Sequence, residues 1–204
     1  MTRQNRVTPR SEIVALAGRG LFMGNRGCLH DGNGRIVRQW RGRLWICCLT
    51  AFRGRGRDLM QPGRYTELFF LDEAVAFAAG HRPCAECRRA DYLRFRAAWD
   101  LAGLPDAPRA ADLDRHLHGL RHPSGQGNFR QQAALAGDLP DGAFVEHAGT
   151  PHLWAMGALR PWAPAGYGAP VPAPADPLAI LTPMPFVQCL AHGYRPVLHP
   201  TAHR

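Results

Sequence analysis

Residues 80–89 read Gly-His-Arg-Pro-Cys-Ala-Glu-Cys-Arg-Arg. No other stretch restricts the fold so tightly. Cys84 and Cys87 have two residues between them, the spacing at which one tight turn presents both sulfurs to a single metal ion. Gly80 suits the left-handed position that ends a helix, so a helix is expected before the turn. Tyr92, Phe95 and Trp99 recur at helical spacing after it, so a second helix is expected from about Arg89 to Ala102, with Gly103 as its stop. The thiols are thus placed between two helices. Arg82, Arg88 and Arg89 surround them with positive charge.

The chain has 204 residues, 46% of them hydrophobic, which is enough for one large domain or two small ones with a real core. No run approaches the roughly 18 apolar residues that a membrane span requires. Met1 to Arg10 is polar and basic, unlike a secretory leader, and is read as a flexible arm. A cytoplasmic setting follows as the expectation, where six cysteines serve as thiols or metal ligands rather than disulfides. Every basic residue is an arginine, and their distribution is uneven. Residues 1–100 carry 18 arginines against nine acidic residues, a net of +9, while residues 101–204 carry seven against seven. Such asymmetry points to an anionic partner for the first half, most simply nucleic acid.

The expected architecture is α+β. Residues 20–52 read as a β-meander, with Asp31-Gly32-Asn33-Gly34 turning between paired flanks at 26–30 and 35–40 and Leu44 to Ala51 as an apolar strand. Residues 52–58, Phe-Arg-Gly-Arg-Gly-Arg-Asp, form a loop, and Tyr65 to Phe70 a further strand. Asp72 caps the helix that Gly80 ends. Residues 104–137 read as a connector with short helical pieces. Strands at 143–147, 152–156 and 159–162 suggest a small antiparallel sheet with Trp154, Trp162 and Tyr167 in its core, followed by a proline-rich stretch and a last helix at 184–192. The implied division is an arm (1–10), a basic module (11–103), a connector (104–137) and a β-rich module (138–204).

A zinc site wants four ligands, usually Cys and His. Cys28 and His30 are expected to complete the set with Cys84 and Cys87, because residues two apart on an extended segment face the same side. Cys47 is an alternative. Since Cys47 and Cys48 are adjacent on a strand, at most one faces Cys84, and their apolar surroundings read as core. His81 is a further candidate, and Cys189 reads as core.

From Tyr65 to Arg89 the chain resembles the end of the N-terminal metal-binding domain of the bacterial Ada DNA-repair protein family. There a strand with paired aromatics leads into a short helix that ends in Ala-Gly-aromatic-Arg-Pro-Cys-x2-Cys and a basic residue. The match covers about 25 residues, or about 50 with the Leu44 strand. It implies a small zinc domain that contacts the DNA backbone. Cys84 and Cys87 correspond to the family's last two ligands. The first two, including the thiol that accepts a methyl group from a phosphotriester, belong in the loop after the Leu44 strand, which here contains no cysteine.

The resemblance places Arg53, Arg55 and Arg57 in the loop where the family meets DNA. Glycines between them let the backbone approach phosphates, and each guanidinium can bond a phosphate through two N–H groups. Arg64, Arg82 and Arg88 are expected to extend the surface. A metal-dependent nuclease is the alternative, with Asp112, Asp114, His116, His118, His122 and Asn128 as its loosely HNH-like constellation. A module that binds an acidic protein through the basic face is another.

Overall fold

The computed structural model describes residues 2–18, 20–54, 58–121 and 132–204. The chain is α+β, with four α-helices and two six-stranded sheets among those residues. The first sheet contains β1 (Arg6–Val7), β2 (Ile13–Val14), β3 (Phe22–Asn25), β4 (Ile46–Leu49), β5 (Leu68–Phe70) and β6 (Arg82–Pro83), in the order β2-β1-β5-β3-β4-β6. β1 runs parallel to β5 and β4 parallel to β6, and the other pairs are antiparallel. The second sheet is antiparallel throughout. Its strands are β7 (Ala133–Ala134), β8 (Phe144–His147), β9 (Thr150–Ala155), β10 (Ala158–Ala163), β11 (Gly166–Tyr167) and β12 (Leu178–Ile180), in the order β11-β10-β9-β8-β12-β7.

The helices are α1 (Glu73–Ala78), α2 (Arg89–Leu101), α3 (Ala110–Arg121) and α4 (Met184–Ala191). Asp72 caps α1 as expected, accepting the Val75 N–H at 3.0 Å. Gly80 closes it in the left-handed region at φ +80. All six residues of α1 are buried, so it is a core helix rather than an amphipathic surface one. On α2 the buried residues include Tyr92, Phe95 and Trp99, the face that the spacing predicts.

Two expectations fail for physical reasons. Residues 1–10 are not a loose arm over the described part. Val7 and Ile13 are buried, and the Phe69 N–H donates to the Asn5 carbonyl at 2.8 Å. A few apolar side chains among polar neighbours suffice to add two short strands to an existing sheet. The hairpin at 31–34 forms its turn, but its ladder is a single bridge from His30 to Ile36. The longer pairing joins β3 to β4 across the whole excursion. Gly24 permits it, because a Cβ there would lie 2.0 Å from the Ile46 carbonyl oxygen.

The packing ignores the expected boundaries at 103 and 138. One core joins Phe77, Phe95 and Trp99 to Leu159, Ile180 and Phe186, and another joins Phe22, Leu68 and Phe70 to Phe144, Leu153 and Tyr167. Two adjacent buried carboxylates tie the halves together. Asp72 accepts the Tyr167 hydroxyl at 2.7 Å and the His199 N–H at 3.0 Å. Glu73 accepts the Tyr194 hydroxyl at 2.7 Å and the Val197 N–H at 2.9 Å. Desolvation raises the Asp72 carboxyl above its usual range, against the donors that favour its charge.

Candidate metal centre and basic surface

The turn between β6 and α2 does present Cys84 and Cys87 together. The third sulfur comes from Cys48 on β4. One ligand atom from each of these three residues lies within 4.8 Å of the others, close enough to hold a metal ion. Side-chain alternation explains the choice. Cys47 points into the core and is fully buried, so Cys48 must point to the other side, where the parallel pairing of β4 with β6 brings the turn. The Cys84 N–H donates to the Cys47 carbonyl at 2.9 Å, which fixes the turn against the strand.

Backbone donors are aimed at the sulfurs. The Glu86 N–H donates to Cys84 Sγ at 3.5 Å and the Leu49 N–H to Cys87 Sγ at 3.4 Å. Hydrogen bonds from the Cys48 and Cys87 thiols hold Cys84 well below the usual thiol range, while donating to Cys84 pushes Cys48 up. A bound cation would deprotonate all three. Three soft thiolates fit the ions that favour sulfur.

Cys28 and His30 do not join this cluster. His30 is buried, with Nδ1 2.6 Å from Thr66 Oγ1 and Nε2 3.1 Å from the Gln61 carbonyl oxygen, so both ring nitrogens are engaged. Cys28 Sγ lies 3.7 Å from the His30 carbonyl oxygen. The two-residue spacing does place them beside each other, but in contact with the 61–66 segment rather than with the three sulfurs. His81 is fully buried, with its ring against Trp45 and Phe70. Cys189 lies in the core, as expected.

The arginines divide sharply. Arg53 and Arg64 are exposed. Arg53 adopts φ +51, with its guanidinium 5.0 Å over the Phe52 ring. Arg55 and Arg57 lie outside the described residues. Arg82 and Arg88 are corrections to the expected surface, because both are buried. Arg82 donates through Nε and Nη2 to the two Asp114 oxygens at 2.9 and 2.7 Å. Arg88 pairs with Glu73 at 2.7 Å and with Asp91 at 2.7 Å, lies over the Phe22 ring at 4.3 Å, and donates to Cys47 Sγ at 3.3 Å. Their guanidiniums serve the core, where a buried arginine is tolerated because carboxylates meet it. Arg26 is also buried, donating to the Ser11 hydroxyl and carbonyl at 3.0 Å each. Burial lowers its pKa to about 9.

Among the described residues, the members of the histidine-rich constellation are not gathered. Asp114 is committed to Arg82, Asp112 to Arg109 and Arg115. His116 Nε2 is 3.2 Å from the Asp106 carbonyl oxygen, and His118 meets the Trp40 ring edge-on at 4.9 Å. His122 and Asn128 lie outside the described residues. Compared with protein families, curated proteins and solved structures, the chain matches none.

Proposed function

We propose that this is a zinc-stabilised nucleic-acid-binding protein whose contact surface is the arginine loop at 52–58. One observation carries the reading. The three-cysteine cluster sits at the root of that loop, since Cys48 precedes Phe52 by only a few residues on the strand from which the loop departs. An ion held there ties the loop's entry to the Cys84–Cys87 turn, so the ordering cost of presenting Arg53, Arg55 and Arg57 is met partly before binding. Arg64 extends the surface. The excess charge of the first half and the Ada-like stretch support the same class of partner, with DNA as the first candidate.

The loop contains no thiol, so the phosphotriester methyl transfer associated with that family has no acceptor there. Binding without chemistry is the simpler reading. Among the described residues no carboxylate joins the three sulfurs to act as a base.

Metal analysis of the purified protein should find zinc, and Cys84→Ser should lose it. Wild-type protein free of metal would dismiss the zinc. Binding to duplex DNA should weaken with salt at a log–log slope on the order of −3 to −4 for four phosphate contacts. Changing Arg53, Arg55 and Arg57 together to Ala should flatten that slope to about −1. An unchanged slope would remove the loop from the interface.

A further inference from the structure

We propose that the metal at Cys48, Cys84 and Cys87 leaves its fourth coordination position to a thiolate from outside this chain. This rests on the metal reading above and adds to it a binding site with a stated ligand class.

Within the described residues the cluster contains three donors and no fourth. The remaining described cysteines are committed elsewhere: Cys47 to Arg88, Cys28 beside the His30 carbonyl, and Cys189 on the buried face of α4. His30 uses both ring nitrogens. Outside the described residues, His122 is the sole Cys, His, Asp or Glu. The site also has a solvent side. Cys84 is buried, but Cys48 and Cys87 are only half-buried, and Leu49, Glu86 and Arg89 on their borders are exposed. The half-buried Cys48 and Cys87 thus leave a side on which an outside donor can supply the fourth ligand that a tetrahedral ion requires.

The ligand class follows from softness and charge. Three thiolates on a divalent ion favour a fourth soft donor over water or carboxylate oxygen. A fourth thiolate adds negative charge, and the exposed Arg89, two residues after Cys87 in the basic half of the chain, is the cation placed to offset it. Two sources share this chemistry: a low-molecular-weight thiol, and a cysteine on another protein chain.

The test loads the full chain with cobalt(II), whose visible bands report tetrahedral geometry and whose near-ultraviolet absorption reports sulfur ligands. Titration with 2-mercaptoethanol at low protein concentration should raise the sulfur-to-cobalt absorption by about a third, the change from three thiolates to four. Imidazole and phosphate should give smaller responses. A rise that appears without added thiol as protein concentration increases would assign the donor to a second chain, which also upholds the proposal. A spectrum that is already complete and indifferent to thiol overturns it. So does a thiol response seen only in His122→Ala, because His122 would then be the native fourth ligand. Failure to take up cobalt at all overturns the metal site itself, which is a separate and recognisable outcome.

Discussion

Glu73 shows how much one residue can hold. Its carboxylate meets the Arg88 guanidinium, the Tyr194 hydroxyl and the Val197 N–H in a fully buried setting. Glu73→Ala should cost about 3–5 kcal/mol, because it leaves a buried guanidinium short of its counter-charge. Tyr194→Phe removes only one donor to a charged group and should cost about 1.5–3 kcal/mol. Denaturant midpoints of the two variants check that ranking, and equal losses would show that Arg88 finds another partner. His152 predicts a pH effect. Its ring is buried beside His147, and burial pulls its pKa below 6.5. A group whose pKa is lowered in the fold favours the folded state above its unfolded pKa and loses that contribution as pH falls through the folded value. Stability should therefore fall on acidification from about pH 7 to about pH 5, and His152→Gln should flatten this part of the curve. Thermal melts across that range measure it, and parallel curves would exclude His152 as the cause.

At the scale of elements, Cys48, Cys84 and Cys87 are placed so that an ion held by them would act as a clasp between β4 and the β6–α2 turn. Chelation should lower the melting temperature of the wild-type protein, since an ion that binds only the folded state stabilises it by mass action. Cys48→Ser should abolish that dependence, and Cys28→Ser should leave it intact. The reverse result would return Cys28 to the ligand set. These elements differ in how far they were readable from residues alone. The stretch from Asp72 through Trp99 was legible because its signals are local: a capping carboxylate, a left-handed glycine, a two-residue cysteine gap and apolar positions at helical spacing. Cys48 was not legible as a ligand. Alternation says that only one of Cys47 and Cys48 can face Cys84, but which one depends on a parallel pairing between strands more than 30 residues apart. Arg82 and Arg88 misled for a related reason. An arginine beside a cysteine turn looks like surface charge until its carboxylate arrives from elsewhere, as Asp114 does from α3. Composition reports charge and leaves its destination to the fold.

For the molecule as a whole, the charge asymmetry between the halves is partly an internal matter. Arg10 pairs with Glu146 and Arg82 with Asp114, so two first-half cations are met by second-half anions. The shared cores say the same in apolar terms. A chain ending at Gly193 keeps every strand and every α-helix but loses Tyr194, Val197 and His199, the partners of Glu73 and Asp72. It should show no cooperative unfolding transition, and a sharp wild-type-like melt would show that the buried carboxylates can be satisfied without it. The same separation imposes a schedule on biosynthesis. Glu73 and Tyr194 are 121 residues apart. At about 5–20 residues per second, a ribosome needs roughly 6–24 seconds to travel from one to the other. For most of that interval, once Arg88 has followed Cys48, Cys84 and Cys87 into the nascent chain, the carboxylate that anchors Arg88 still waits for its phenol. A metal ion that the three thiols can hold would therefore have to compete with their oxidation before the fold that buries Cys84 can close.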